Sequence, residues 1–106
     1  MASDAEPIAE LSFEAEVVYW RGPSPFFYAP LPPAAAEEVR RVARAVSYGW
    51  GVVPVTASLG GVAFATSLFP KDGTFYLPLK AAVRKKADVT AGDRILVDMV
   101  IAAPDR

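Results

Sequence analysis

The sequence predicts a mostly β protein, a small barrel built from two repeated β-β-α-β units and capped by two helices. Three observations lead to this fold class. Short segments rich in β-branched and alternating apolar residues recur between Gly and Pro turns. Two other segments space their apolar residues as a helix does. The pattern Phe-Tyr-X-Pro-Leu occurs twice, each time directly before one of these helices.

The length and composition fit one soluble domain. The chain has 106 residues, of which 53% are hydrophobic and 22% are charged. No stretch supplies the roughly 18 apolar residues that a membrane helix needs, and the acidic N-terminus lacks the pattern of a secretory signal. We therefore expect a cytoplasmic protein, with a flexible acidic tail over residues 1–9 and a single barrel domain over residues 10–103.

The N-terminal segments predict a β-hairpin. Apolar and polar residues alternate over residues 11–19, which is the period of a strand with one buried face. Residues 21–25, RGPSP, are typical of a turn, and the aromatic run at 26–29 ends at Pro30. The two strands are expected to pair across this turn.

The next segment predicts an amphipathic helix. Pro33 suits a first helical turn, and four apolar residues follow at i, i+3, i+4 and i+7. These are Val39, Val42, Ala43 and Val46. Glu37 lies four residues before Arg41, a spacing that allows an ion pair. We interpret the arginines of this helix as a solvated face.

The second half predicts three more strands, a short basic helix and a last strand. Pro54 cannot donate to a β-ladder, so it belongs at an edge, a bulge or the start of its strand. Turns are expected at residues 60–61 and 70–74, and the basic helix at residues 80–87. The last strand is expected to bury one alternating set of residues: Ile95, Val97, Met99 and Ile101.

The two halves of the sequence match one another. Residues 27–31, FYAPL, align with residues 75–79, FYLPL, and each is followed by a helix with a Val-Arg pair and then by a Gly before a strand. One such unit would expose too much apolar surface to stand alone. Two units related by a pseudo-twofold axis can close a shared barrel. We therefore expect a monomer.

Four segments together resemble the bacterial domain-of-unknown-function family numbered nineteen-oh-five. They read FEAEVVYW, WGVVPVTASLGGVAFATSLFP, FYLPLKAAVRKK and AGDRILVDMVI, and the resemblance covers residues 11–102. It implies a double-split β-barrel, the fold class of the swapped-hairpin transcription factors and antitoxins, and no established activity. Some members carry a second domain associated with bacteriocin protection, so we expect this chain to be the stand-alone form.

The absence of Cys and His excludes many kinds of site. Without these residues there is no thiolate nucleophile, no imidazole base and no zinc-thiolate centre. The twelve acidic residues are scattered, without the spacing of a calcium loop. We therefore predict no metal, no cofactor and no catalysis.

The leading hypothesis is a binding or interaction module whose partner is an unidentified small molecule or protein. The predicted ligand site lies at the barrel mouth and suits a small anionic or aromatic ligand. Its residues are Trp50, Thr66, Ser67, Lys80 and Arg84. Each also has a purely structural interpretation, Trp50 as a core plug and Lys80 as a chain lying over apolar surface.

Two alternatives remain open. Residues 75–100 also resemble one swapped-hairpin DNA-binding unit, and a basic cluster lies in and near them: Lys71, Lys80, Arg84, Lys85 and Lys86. Because the net charge is −1 and the isoelectric point is about 5.3, a nucleic-acid partner is not favoured. A weak hydrolase with Ser67 as nucleophile and Lys80 as base is the other alternative, with no accompanying motif.

Overall fold

The protein is mostly β, with seven antiparallel strands in one sheet curled into a half-barrel and two helices against it. This architecture comes from a computed structural model, which describes residues 7–23, 25–46 and 52–102. The elements are β1 Pro7–Glu16, β2 Val18–Trp20, β3 Phe26–Pro30, α1 Pro33–Val46, β4 Val53–Leu59, β5 Val62–Lys71, β6 Thr74–Leu79, α2 Ala81–Ala87 and β7 Arg94–Ala102. No helix in the described ranges is long and apolar enough to cross a bilayer.

The two end strands of the sheet are neighbours in sequence. The strand order is β1-β7-β4-β5-β6-β3-β2, and only Val17 separates β1 from β2. The Val17 N–H donates to the Asp93 carbonyl at 2.8 Å, and the Gly92 N–H donates to the Val17 carbonyl at 2.8 Å. The turn before β7 thus forms hydrogen bonds with both backbone groups of Val17, and the chain bends at this residue. Residues 7–20 therefore form both end strands of the sheet, β1 and β2.

This break corrects the prediction of one strand with one buried face over residues 11–19. The alternation holds through β1 and Val17, but Tyr19 in β2 is 40% exposed rather than buried. At its other end β1 begins at Pro7, so residues 7–9 belong to a strand and not to the expected tail. Residues 1–6 lie outside the described residues.

The core lies on the concave side of the curled sheet. Along β7 the predicted set Ile95, Val97, Met99 and Ile101 is buried, which confirms the alternation read from the sequence. Each helix contributes to the same core, α1 through Val39 and α2 through Val83. The sheet and the helices therefore share one apolar cluster.

The ion pairs of α1 differ from the predicted one. Glu37 pairs with Arg40 at 2.8 Å, and Glu38 pairs with Arg41, so both pairs have i, i+3 spacing instead of i, i+4. Arg40 also donates to the Gly73 carbonyl at 3.0 Å. One arginine of the face interpreted as solvated thus connects α1 to the β5–β6 turn.

Two hairpins close through two-residue turns with left-handed backbone. Gly60 and Gly61 have φ of 56° and 81°, and Asp72 and Gly73 have φ of 55° and 79°. Both positions of each turn are thus in the region that Gly and Asp tolerate best. The turn predicted at residues 70–74 is therefore shorter, and β5 continues to Lys71.

Pro54 occupies the start of an internal strand, as predicted. It is the second residue of β4 and lies opposite Ser67 of β5. Pairing of β4 with β7 begins only at Thr56, so the missing N–H of Pro54 removes no bond from that ladder.

Substitutions in β7 test the assignment of its two faces. We expect Met99→Ala, which empties a site that is 1% exposed, to lower the free energy of unfolding by about 2–5 kcal/mol. Leu96→Ala is the matched control on the opposite face, where the side chain is 60% exposed, and should change it by about 0.5 kcal/mol or less. Urea denaturation followed by circular dichroism measures both, and equal losses would contradict the assigned faces.

Candidate functional site

An aromatic cluster covers the convex face of the sheet where β2, β3, β6 and β5 meet. The register places Trp20 opposite Phe26, and Phe69 opposite Tyr76. The next residues along each strand, such as Ala29, Leu77 and Leu68, belong to the core on the other face. The cluster consists of Trp20, Phe26, Tyr28, Phe69 and Tyr76.

Four rings of this cluster, those of Phe26, Tyr28, Phe69 and Tyr76, form a continuous series of contacts. Tyr28 stacks on Tyr76 with ring centroids 4.0 Å apart and planes 8° from parallel. Phe26 lies 5.4 Å from Tyr28 and 5.8 Å from Phe69, and Phe69 lies 5.5 Å from Tyr76. Pairs at these separations stabilise one another by about 0.5–1.5 kcal/mol beyond the burial of their area.

Next to the stacked tyrosines is a cavity of about 470 Å³, which we call the aromatic groove. Its lining residues are Trp20, Pro23, Phe26, Phe69 and Lys71. The Lys71 ammonium lies 4.7 Å from the centre of the Trp20 ring, within the range of a cation–π interaction. The aromatic groove therefore combines aromatic walls with one positive charge.

The position of the Trp20 indole depends on Gly22. A Cβ atom at residue 22 would collide with Nε1 of the Trp20 ring. The absent side chain thus lets the indole lie against the backbone of the β2–β3 turn. The RGPSP segment therefore has a second role besides forming a turn, because its glycine leaves space for the Trp20 ring that lines the groove.

A part-buried hydrogen bond connects the cluster to the turn beside Lys71. The Tyr76 hydroxyl donates to Oδ2 of Asp72 at 2.5 Å, and the tyrosine is only 5% exposed. This bond, followed by burial and the nearby Tyr28 hydroxyl, raises the pKa of Tyr76 well above its ordinary value. Tyr76 is therefore a neutral donor that attaches the β5–β6 turn to the stacked rings.

The strand residues predicted for the ligand site point in opposite directions. Thr66 lies opposite Val55, which is buried in the core, so its side chain is on the concave face. Ser67 lies opposite Pro54 and is on the convex face. One pocket therefore cannot receive both side chains, and the predicted convergence needs correction at this pair. Trp50 lies outside the described residues.

Arg84 and Lys80 surround the start of α2. Lys80 directly precedes the helix and is exposed. The Arg84 guanidinium carbon lies 3.6 Å from the centre of the Phe27 ring, and its Nε donates to the Leu79 carbonyl at 3.1 Å. The Arg84 side chain thus lies against β3 and the end of β6, whereas Lys85 and Lys86 next to it are exposed.

No contact among the described residues bears directly on either alternative function. Lys85 and Lys86 are exposed on α2, and DNA binding stays a prediction. In the described part of the chain no hydrogen bond joins Ser67 to Lys80, so hydrolysis also stays a prediction. Among residues 7–23, 25–46 and 52–102 no three carboxylates gather closely enough to hold a metal ion.

The aromatic groove was not among the predicted sites, although the sequence contained a signal for it. An antiparallel sheet with one solvated face usually carries polar residues there. Here the convex positions of three short strands carry aromatic side chains instead: Trp20, Phe26, Tyr28 and Tyr76. Aromatic residues on both faces of a strand indicate that its outer face also forms an apolar surface, which is typical of a binding groove.

Comparison with known proteins places these residues in a family. The sequence model described as Domain of unknown function (DUF1905) matches residues 13–99, a range that includes every residue lining the aromatic groove. A search of curated proteins found no match. Since the model covers most of the chain, the protein belongs to the family of the domain of unknown function DUF1905.

Proposed function

We propose that the protein is a binding module whose aromatic groove takes a small, planar apolar ligand with a negatively charged group. The observation that carries this proposal is the Lys71 ammonium, 4.7 Å from the Trp20 ring centre in a groove otherwise lined by Pro and aromatic residues. Such a lining favours a flat ring, and the ammonium favours an acid at one end of it.

The dimensions and charge of the groove support this class of ligand. Its volume of about 470 Å³ is within the range of small-molecule sites, about 300–1,000 Å³. No carboxylate in the described ranges forms a salt bridge with Lys71. A ligand acid would therefore gain this charge without displacing an internal partner, while its ring covers Phe26 and Phe69.

Contacts next to the groove hold its aromatic walls in place. The stack of Tyr28 on Tyr76 and the bond from Tyr76 to Asp72 fix the rings behind it. A site whose walls are held in place loses little conformational freedom when a ligand binds. The same bond fixes the turn directly after Lys71, which keeps the ammonium near Trp20.

The repeat in the sequence supports a double-split barrel with a pseudo-twofold axis as the finer description of the fold. FYAPL and FYLPL lie in β3 and β6, which pair about Ala29 and Leu77, the equivalent middle residues of the two segments. Tyr28 likewise stacks on its equivalent, Tyr76. The aromatic groove would then lie beside the axis that relates the two units.

The proposal keeps the remaining predictions of a monomeric, non-enzymatic, cytoplasmic module. The stronger competitor is nucleic-acid binding through α2. It is less favoured because the net charge of the chain is −1, and DNA binding depends on neutralising phosphates. A groove ligand would bind with little dependence on salt beyond its single charge, whereas DNA affinity would fall steeply.

Binding of 1-naphthoate tests the proposal. We expect its titration to shift backbone amide resonances of β2, β3 and the β5–β6 turn to saturation in ¹H–¹⁵N NMR spectra. Lys71→Met should weaken naphthoate binding about two- to fivefold, because one ion pair is lost, and leave the affinity of uncharged naphthalene methanol unchanged. Lys85→Met on α2 is the matched control. Shifts confined to other strands, or equal effects of both Lys variants, would contradict the proposal.

Gly22→Ala tests whether Trp20 forms a wall of the site. The added methyl group should displace the indole from the groove, because its Cβ atom would occupy the position of Nε1. We expect the Trp20 indole N–H resonance to move and naphthoate binding to weaken at least as much as in Trp20→Phe. Spectra of Trp50→Phe assign the two indoles. An unmoved indole resonance with retained binding would exclude this role of Trp20.

The Tyr76–Asp72 bond predicts a loss of stability at alkaline pH. The folded protein keeps the Tyr76 proton above the ordinary tyrosine pKa of about 10, whereas the unfolded chain loses it there. The resulting stability is complete below about pH 10 and decreases as the pH rises further. Urea denaturation between about pH 9 and pH 11 should show a shallower decrease for Tyr76→Phe than for the parent protein. Tyr19→Phe, at an exposed tyrosine, is the control, and parallel curves for parent and Tyr76→Phe would contradict the bond.

A further inference from the structure

We propose a second ligand site, in which the guanidinium of Arg84 binds an oxyanion, a carboxylate or a phosphate group. This site lies on the concave side of the β2–β3 hairpin, at Phe27, whereas the aromatic groove lies on the convex side, at Phe26. It goes beyond the proposed function and stands on separate residues.

Two contacts fix the Arg84 side chain. Its guanidinium carbon is 3.6 Å from the centre of the Phe27 ring, and Phe27 is in turn 4.7 Å from the Tyr19 ring. Its Nε donates to the Leu79 carbonyl at 3.1 Å. The stack sets the plane of the guanidinium, and the hydrogen bond sets its rotation within that plane.

These contacts leave the outer part of the guanidinium available. Nε is used, while Nη1 and Nη2 form no hydrogen bond or salt bridge with another described residue. The other arginines whose contacts the structure describes differ, since Arg40, Arg41 and Arg94 each reach a glutamate. Arg84 is held by a ring and a carbonyl group, neither of which neutralises its charge.

The remaining donors have the geometry of an oxyanion site. Parallel N–H groups of a guanidinium match two oxygens of a carboxylate or phosphate. Because the fork is already oriented, an anion would not have to immobilise a free side chain. Lys80, four residues earlier and exposed, follows Leu79 directly and adds a second positive charge near the carbonyl group that Arg84 contacts.

The surroundings of Arg84 leave the site open on one side. Tyr19 is 40% exposed beside Phe27, so the anion approaches along an aromatic edge and not into a closed cavity. The geometry therefore suits a terminal oxyanion of a larger molecule or a free small anion. Both sources have the same chemistry at Arg84.

NMR detection of the Arg84 Nε–Hε group tests this site on the intact chain. Inorganic phosphate and acetate are titrated separately, with sodium chloride keeping the ionic strength constant. We expect a saturable shift of the Arg84 resonance with phosphate, acetate or both, and none on substituting chloride. Saturation by phosphate alone assigns a phosphate site, and saturation by acetate alone assigns a carboxylate site.

Two variants distinguish the effect of the planar guanidinium donors on anion binding from the effect of positive charge alone. Arg84→Lys keeps the charge but loses the planar donors, and should weaken anion binding about fivefold or more. The shift is then followed on backbone amides of α2. Phe27→Leu removes the ring under the guanidinium and should weaken binding while Arg84 is retained. Arg94→Lys, at an exposed arginine of β7, is the control and should leave binding unchanged.

Several outcomes would overturn the inference. A linear shift without saturation, equal for Arg84 and Arg94, would mean general screening by ions. Unchanged affinity in Arg84→Lys would mean that only charge matters. Because the titration monitors α2 and not the groove, a failure here leaves naphthoate binding intact, and failure of naphthoate binding leaves this site intact.

Discussion

The antiparallel pairing of β3 with β6 is the contact on which the rest of the protein depends. It joins the strands that precede the two helices, and it brings residues 27–30 beside residues 76–79, across nearly fifty positions of sequence. Since side chains alternate along each strand, the same register determines both surfaces. It stacks Tyr28 on Tyr76 on the convex face and places Phe27 beside Leu79 on the concave face. A shift of the register by one residue would exchange the side chains of the two faces. It would remove both the aromatic groove and the Phe27 ring next to Arg84.

Local sequence patterns predicted most of the fold because the forces behind them are local. The burial of β7 follows from a period of two, and the turns at Gly60 and Asp72 follow from backbone conformations that few residues tolerate. The break at Val17 did not follow from any local pattern. The residue continues the apolar alternation, and only its bonds to the turn before β7, more than seventy residues away, end the strand there.

The site was harder to predict for a related reason. Thr66 and Ser67 are adjacent in sequence, and in a strand adjacency places side chains on opposite faces. The groove, in contrast, joins residues from β2, the β2–β3 turn and β5, whose contact depends on the order of strands in the sheet. Composition could exclude imidazole and thiol chemistry, whereas the ligand-binding roles of Arg84 and Lys80 stay predictions. Composition could not predict the two cation–π contacts, Lys71 with Trp20 and Arg84 with Phe27.

The proposed repeat also explains how a nearly symmetric scaffold can hold a ligand in one direction. Trp20 pairs with Phe26 and Lys71 pairs with Thr74, the residues that precede the two aligned FY segments, so Trp20 and Lys71 would occupy equivalent positions in the two proposed units. On this proposal one unit supplies an aromatic wall where the other supplies an ammonium, and the ammonium lies 4.7 Å from the centre of the aromatic ring. Asp72 extends the difference, since it binds Tyr76 and stands next to Lys71. A planar acid would therefore find its ring partner on one side of the axis and its charge partner on the other, which fixes its orientation in the groove.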